Sequence, residues 1–307
     1  MQEYENTIDD HLWEYGGLLH LKIDKLNDFF NRIRKIIPHF GFNLPYLQHF
    51  GNQEKEQQEN MINYLNILIK SIDEWLVPIE ENYALYQNTQ LSKKECECLK
   101  IIEDLIKKSI PPLITISDDS FGFQEKDEHI VSLGLNNQQL VSLPDEISRL
   151  NFLERLFLRK NSLKILPPSI DSLTTLKSLD LRENTLESLP DTIGDLQSLE
   201  ILWMDNNQLT KLPNSMNRNK SLKDLCASEN KINVFPEMIC TLPNLERINL
   251  RKNVLENISE SIGSLKKLKN LYVNDNPLNK VSGQELSILA EMRKNSVSIV
   301  IDPRFNQ

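Results

Sequence analysis

From residue 130 the chain repeats one apolar pattern every 23 residues, in seven consecutive copies without a slip. Apolar residues stand at positions 1, 4, 6 and 11 of each copy, and asparagine stands at position 9 in six of the seven. One copy is too short to bury its own apolar residues, so the copies must stack and share a continuous core. The period therefore predicts a solenoid. Its repeats 1 to 7 begin at Ile130, Leu153, Leu176, Leu199, Leu222, Leu245 and Leu268.

Within each repeat, the apolar residues at positions 4 and 6 predict a short strand with one buried face. Stacked strands form a parallel sheet, and positions 2, 3, 5, 7 and 8 then face away from the core. The amide at position 9 is suited to bond the backbone of the turn that follows the strand, which predicts a ladder of buried amides. Gln138 departs from this ladder in the first repeat, where one neighbour is missing.

The second part of each repeat predicts a tight outer path. Leucine or phenylalanine followed by proline recurs at positions 14 and 15 of the first five repeats, and an apolar residue follows at position 18. Proline fixes φ and so favours a sharp, compact return to the next strand. The pattern relaxes to Ile258-Ser259 and Val281-Ser282. Residues 283–307 are expected to close the end of the core, with a helix over about 284–294 and the apolar run at 297–301.

Residues 130–281 fit L-x-x-L-x-L-x-x-N-x-L, and in this they resemble the leucine-rich repeat family. The outer L-P-x-x-I form is similar to plant intracellular Ras-group repeats, to Ras-pathway scaffold proteins and to bacterial repeat effectors. The resemblance implies an α/β solenoid with a curved parallel sheet whose concave face binds a protein. It further implies a small GTPase, a phosphatase or a ubiquitin-system component as partner, and it includes bacterial effectors that act inside a host cell.

The first 128 residues differ in character from the repeats. They carry 13 basic and 23 acidic residues, whereas residues 129–307 carry 22 basic and 21 acidic ones. Apolar residues at helical spacing predict helices near 18–37, 55–76 and 93–109. We therefore expect a helical N-terminal domain with an acidic linker over 1–128, a repeat domain over 129–282 and a C-terminal cap over 283–307. The helical domain is expected to cap the first repeat or to form a second binding module.

Composition excludes several classes of function. The net charge of −9 disfavours nucleic-acid binding, and no apolar stretch is long enough for a membrane span. The four cysteines form no C-x-x-C pair, which favours reduced thiols and a cytoplasmic location, or the host cytosol for a secreted effector. No phosphate loop, dinucleotide fingerprint or H-E-x-x-H motif occurs, so we expect no catalytic site, cofactor or metal.

The candidate binding residues lie at the positions that face away from the core. The central column, position 5, contains aromatic residues in repeats 2, 4 and 7, and arginines stand at positions 3 and 7. Exposed aromatics and arginines are the usual anchors of protein interfaces. Two alternatives stay open: the aromatics could pack on their neighbours, and the charges could pair within the chain. The candidate residues are Arg155, Phe157, Arg159, Arg182, Trp203, Asp205, Arg247, Arg251 and Tyr272.

These features together predict an intracellular, non-catalytic protein that recognises a partner protein across its concave sheet, as a scaffold or signalling regulator. A second hypothesis is an enzyme whose activity lies in residues 1–128, with the repeats selecting the substrate. A third is a structural protein that associates through its convex side or its ends. The sequence leaves the oligomeric state open.

Overall fold

The computed structural model of the chain describes residues 83–87 and 89–305. The chain divides into two compact units, residues 1–93 and residues 94–307. The helices predicted near 18–37 and 55–76 lie outside the described residues. None of the helices in the described part is both long and apolar enough to cross a membrane.

The described part of the first unit is a β-hairpin. Strand β1 (Tyr83–Tyr86) pairs antiparallel with strand β2 (Thr89–Ser92), and Tyr83 lies opposite Ser92. The N-terminal domain was expected to be helical, and this hairpin departs from that expectation. The physical reason is local: tyrosine and threonine favour strands, and Leu91 alternates with polar neighbours along β2, burying its side chain completely.

The second unit begins with helix α1 (Lys93–Ile106), whose first residue falls at the boundary between the units. Its main element is a nine-stranded sheet in which the strands lie in chain order. Strands β4 to β11 run parallel, and β3 pairs antiparallel with β4. The strands are β3 (Phe121–Lys126), β4 (His129–Leu135), β5 (Arg155–Phe157), β6 (Ser178–Asp180), β7 (Ile201–Trp203), β8 (Asp224–Cys226), β9 (Arg247–Asn249), β10 (Asn270–Tyr272) and β11 (Ser298–Val300).

The predicted stacking is confirmed residue by residue. Each repeat contributes one strand, and the residues at position 4 lie directly beside one another in the sheet, as Leu156, Leu179 and Leu202 do. These three side chains are completely buried. A leucine side chain gains about 2 kcal/mol from full burial, so the regular column holds neighbouring repeats together.

The amide ladder is also as predicted. Asn161 Oδ1 accepts hydrogen bonds from the backbone N–H groups of Gln138 and Leu140, both at 3.0 Å. Its Nδ2 donates to the carbonyl oxygens of Leu135 at 2.8 Å and Leu158 at 2.9 Å. One side chain therefore satisfies backbone groups of two successive repeats. Gln138, which replaces asparagine at position 9 of the first repeat, instead donates to the carbonyl oxygen of Asn136.

The outer part of each repeat from 1 to 6 is a single turn of 3-10 helix. In the first five repeats this turn follows the predicted proline, and the apolar residue at position 18 points into the core and is completely buried. Serine takes the place of proline in repeat 6, where the Ser259 hydroxyl accepts the backbone N–H of Ser261. The turns span Asp145–Arg149, Pro168–Ser172, Asp191–Asp195, Asn214–Arg218, Glu237–Thr241 and Glu260–Ser264.

One outer position breaks the pattern. Asn219 is completely buried at the end of the fourth turn, where other repeats have leucine. Its Nδ2 donates to the carbonyl oxygens of Ile193 at 3.0 Å and Leu196 at 3.1 Å, whereas its Oδ1 has no hydrogen-bond partner. A buried acceptor without a partner destabilises the folded state.

We expect Asn219→Leu to raise the free energy of unfolding by about 1 kcal/mol, because it removes the unpaired oxygen and restores the residue that the other repeats use. The carbonyl oxygens of Ile193 and Leu196 both keep a backbone N–H partner. Urea unfolding of the full chain measures the change. Asn219→Ala is the control, since it leaves a void and should be destabilising. A destabilised leucine variant would contradict the interpretation.

The C-terminal end of the core is closed as predicted. Helix α2 (Gly283–Lys294) begins with a capping box between Ser282 and Glu285. The chain then returns as β11, which adds to the sheet beside β10, with Val300 opposite Tyr272.

The N-terminal end is closed by α1 and β3. The Glu95 carboxylate, almost completely buried on α1, accepts the backbone N–H of Ile130 at 3.0 Å, so the helix contacts the first repeat. Strand β3 occupies residues that were expected to be a linker, and that expectation is wrong. Phe123 of β3 is completely buried, and this burial explains why the segment joins the sheet. The expected boundary at residue 128 falls in the turn between β3 and β4.

Candidate protein-binding surface

The sheet face opposite the core, which we call the concave face, carries positions 3, 5 and 7 of each repeat. Strand pairing sets the position-5 residues side by side in one central column. Neighbouring strands lie about 4.8 Å apart, so Trp203 and Tyr272, three strands apart, are separated by about 14 Å. The column is Gly134, Phe157, Asp180, Trp203, Cys226, Asn249, Tyr272 and Val300.

The first three repeats do not offer an open surface. Phe157 is only 3% exposed and Asp180 is completely buried, so the expectation that Phe157 is an exposed anchor is wrong. Residues 116–120, which we call the overlying segment, contact the residues on both sides of Phe157. Arg155 Nη1 lies 3.4 Å from the carbonyl oxygen of Ile116, and Arg159 Nη1 lies 3.5 Å from an Asp119 carboxylate oxygen.

Gly134 makes the close approach of the overlying segment to the sheet sterically possible. A Cβ atom added there would lie 2.3 Å from the carbonyl oxygen of Ser120. Asn136 Nδ2, two residues further on, donates to the carbonyl oxygen of Asp118 at 2.6 Å. A glycine inside a strand often marks a close approach of backbone, and this was the one signal in the sequence that pointed to the overlying segment.

The arginines of repeats 2 and 3 are held by the chain itself. Arg155 donates to Ser132 Oγ at 2.9 Å and to Gln124 Oε1 at 2.8 Å. Arg159 pairs with Glu183 at 2.5 Å. Intramolecular pairing, which the sequence left open, is therefore what the structure has at these positions.

Arg182 links the covered and uncovered parts of the face. Its guanidinium donates two hydrogen bonds to the carboxylate of Asp180, at 2.9 and 2.5 Å. The same group lies over the ring of Trp203, with its central carbon 4.5 Å from the ring centroid. A cation over an indole face is attractive, so the buried carboxylate and the arginine together fix the position of the tryptophan.

The concave side chains of β7 to β11 and of the turns that follow them form what we call the open face. Trp203 and Tyr272 are partly exposed, whereas the side chains of Arg247 and Arg251 are 45% and 46% exposed. Arg247 lies over the Tyr272 ring at 5.8 Å from its centroid, and Val300 extends the central column with 39% exposure. Two aromatic residues and one apolar residue of the central column therefore lie beside two accessible cations.

Both arginines of the open face have acidic neighbours within the chain. Arg247 lies 3.6 Å from Asp224, and Arg251 lies 2.8 Å from Asp275. Ion pairs this exposed contribute only about 0–1 kcal/mol, because water competes for both charges. A partner's carboxylate can therefore replace the internal one at little cost.

Asp205, also a candidate residue, is engaged locally. Its carboxylate accepts the backbone N–H of Ser228 at 2.9 Å and the Ser228 hydroxyl at 2.5 Å. Burial raises the pKa of this carboxyl group, and the two hydrogen bonds from Ser228 act in the opposite direction. The geometry makes Asp205 a support for the neighbouring repeat, since its Oδ1 accepts both hydrogen bonds from Ser228.

The cysteine thiols are not poised for nucleophilic chemistry. Burial raises the pKa of the Cys226 thiol, and the neighbouring carboxylates of Asp205 and Asp224 raise it further. Burial likewise raises the pKa of Cys96 to about 11 and of Cys98 to about 12. A protonated thiol is a poor nucleophile and a poor metal ligand. Within the described residues, no group of three His, Cys, Asp or Glu side chains is arranged to hold a metal ion.

The enzyme hypothesis assigned activity to residues 1–128, most of which lie outside the described residues.

Val300 was also missed by the sequence analysis as part of the candidate surface. It stood in the predicted apolar run, but the run lacks the repeat pattern, so only the pairing of β11 with β10 places it in the central column.

Comparison with known proteins identifies the family. The model of the leucine-rich repeat region matches residues 125–207 and 169–294, more than half of the chain. This chain is a leucine-rich repeat protein. Proteins of this family are generally non-enzymatic binding modules, and their solenoids present extended concave surfaces for recognition. No curated protein matches the chain.

Solved structures include similar leucine-rich repeat proteins. One from Leptospira interrogans is 34% identical, with a TM-score of 0.51, and the similarity covers 55% of this repeat protein and 42% of the Leptospira chain. The ectodomain of an Arabidopsis thaliana membrane receptor kinase, solved with CASPARIAN STRIP INTEGRITY FACTOR 2, is 26% identical over 48% of this chain and 18% of its own, with a TM-score of 0.45. A plant peptide hormone receptor, solved with RGF2, is 27% identical over 44% and 22%, with a TM-score of 0.42.

Proposed function

We propose that this leucine-rich repeat protein is a non-catalytic recognition protein, a scaffold or signalling regulator, that binds a protein partner on its open face. The observation that carries the proposal is that Trp203 and Tyr272 are partly exposed and Val300 is exposed in the central column, with Arg247 and Arg251 beside them. Aromatic residues and arginines supply most of the binding energy at protein interfaces. Repeat packing alone gives no reason for them to stand together on a solvent-facing surface.

The dimensions of the open face define the kind of partner. Five strands at about 4.8 Å spacing give a surface about 19 Å across, with no enclosing wall. Such a surface fits an extended peptide or a patch of a folded protein, whereas small molecules bind in enclosed pockets. In this proposal the partner inserts apolar side chains between Trp203 and Tyr272, and its carboxylates bond Arg247 and Arg251.

A cytoplasmic location belongs to the same proposal. All four cysteines are free and buried, and free thiols are typical of a reducing compartment. For a secreted bacterial effector the corresponding compartment is the host cytosol. The partner classes named from the family resemblance, a small GTPase, a phosphatase or a ubiquitin-system component, remain predictions.

We expect the double substitution of Trp203 and Arg251 by alanine to reduce partner binding at least tenfold, because it removes one anchor and one cation from the open face. The full chain is used to capture partners, and the affinity of each captured protein is then measured for the unaltered and the substituted chain.

The matched control replaces Val234 and Arg218, an exposed apolar residue and an exposed arginine on the outer segments, by alanine. This control should bind like the unaltered chain, and urea unfolding should show that both variants are folded. Equal binding by the Trp203 and Arg251 variant would refute the location of the site.

A further inference from the structure

The overlying segment contacts the concave face in the way that a bound peptide would. Asn136 Nδ2 donates to the carbonyl oxygens of Asp118 and Ser120, and Arg155 donates to that of Ile116. Two carboxylates of the segment pair with two further arginines of the face. In all these contacts the repeats supply the donor, and the segment supplies a carbonyl or carboxylate oxygen as the acceptor.

The charges of the two surfaces are complementary. The outward positions of repeats 2 and 3 carry five basic and three acidic residues, a net charge of +2, and the overlying segment carries Asp118 and Asp119, a net charge of −2. Complementary charges of this kind determine which segment docks and in which orientation, more than they determine affinity. The face of repeats 2 and 3 therefore selects for acidic segments.

The overlying segment is held loosely at its acidic residues. The side chain of Asp118 is 56% exposed and lies 3.9 Å from Arg182, and the side chain of Asp119 is 86% exposed and lies 3.5 Å from Arg159. Pairs with this exposure contribute at most about 1 kcal/mol. The turn itself is closed internally, by the hydrogen bond from the Ser120 N–H to the Ser117 carbonyl oxygen.

The residue beneath the segment is an aromatic anchor. Phe157 is 3% exposed although it occupies a column position that is partly exposed at Trp203 and Tyr272. The segment contacts Arg155 and Arg159, two residues before and two residues after Phe157, so we expect its displacement to uncover the ring. The central column would then present aromatic residues from repeat 2 to repeat 7.

We propose that residues 116–120 are an internal ligand of repeats 1 to 3, and that an extended acidic segment of the partner displaces them and reaches Phe157. This inference rests on the proposed function, because it extends the open face into a longer groove for the same partner. A tethered ligand competes at an effective concentration in the millimolar range. The apparent affinity for an acidic competitor is therefore reduced to the fraction of molecules in which the internal segment has left the face.

A peptide in trans tests the proposal. The probe is the fluorescently labelled peptide ITISDDSF, which copies residues 114–121, and its anisotropy is measured with the full chain. In the variant Asp118→Lys with Asp119→Lys, the internal segment is repelled by Arg182 and Arg159. We expect this variant to bind the peptide at least tenfold more tightly than the unaltered chain, and to lose the gain with the peptide ITISNNSF.

Two controls locate the binding. Asp127→Lys with Glu128→Lys makes the same change of net charge in the β3–β4 turn, away from the concave face, and should leave peptide binding at the level of the unaltered chain. In the background of the Asp118 and Asp119 variant, Arg159→Gln should abolish the gain, whereas Arg247→Gln with Arg251→Gln should preserve it.

Three outcomes overturn the proposal: equal peptide binding by the unaltered chain and the Asp118 and Asp119 variant, no peptide binding by either, or a gain lost only when Arg247 and Arg251 are replaced. The last outcome would assign the peptide to the open face. None of them bears on the Trp203 and Arg251 experiment, so a failure here is distinguishable from a failure of the proposed function.

Discussion

Asn207→Ala is expected to lower the free energy of unfolding by about 2 kcal/mol, because it leaves the buried N–H group of Leu186 without an acceptor and removes one amide from the ladder. Asn207 Oδ1 accepts the N–H of Leu186 at 2.9 Å, and its Nδ2 donates to the carbonyl oxygens of Leu181 at 3.0 Å and Met204 at 3.1 Å. The two carbonyl oxygens keep the amides of Asn184 and Asn230 as donors, whereas alanine offers the Leu186 N–H no acceptor. Urea unfolding followed by circular dichroism measures the loss.

Gln138→Ala is the matched control at the same position of the first repeat. Gln138 makes one side-chain hydrogen bond, to the carbonyl oxygen of Asn136, and does not bridge two repeats. Its replacement should lower the free energy of unfolding by less than about 1 kcal/mol. Similar losses in the two variants would show that position 9 contributes by something other than the amide ladder.

Gly194→Ala should lower the free energy of unfolding by about 3 kcal/mol, because the added methyl group has no room. A Cβ atom at Gly194 would lie 2.2 Å from the carbonyl oxygen of Ser215 and 2.6 Å from its carbonyl carbon. These are backbone atoms of the next repeat's 3-10 turn, so the clash can be relieved only by separating repeats 3 and 4 on the outer side. Thermal and urea unfolding both report the effect.

Gly263 provides the matched control, since it stands at the same position of repeat 6. A Cβ atom there would meet only the Cγ2 of Ile288, at 3.0 Å, and this flexible side-chain end can move aside. We expect Gly263→Ala to change the free energy of unfolding by less than about 1 kcal/mol. A Gly194 variant as stable as the Gly263 variant would mean that the outer turns tolerate a wider spacing than the structure has.

The candidate surface was only partly predictable. The repeat pattern located the central column correctly, and the structure places Trp203, Tyr272, Arg247 and Arg251 on the open face. It failed for Phe157, which is 3% exposed where residues 116–120, a segment outside the repeats, contact the arginines two residues before and after it. The pattern also carried no information on which charges pair, since side-chain rotamers are decided by packing. Arg247 pairs with Asp224 of the preceding repeat, whereas Arg182 pairs with Asp180 of its own repeat.

The sequence alone determined the stacking direction, the buried positions, the amide ladder and the proline-initiated outer turns, because each depends on contacts that repeat identically between neighbours. Only the tertiary structure decided that strands β3 and β11 extend the sheet at its two ends, and which part of the concave face is free. Strand β3, the overlying segment and strand β11 each occur once, so the repeat pattern does not predict them. Their positions follow from burial of Phe123, from close approach at Gly134 and from the open edge of β10, which are interactions between segments that share no pattern.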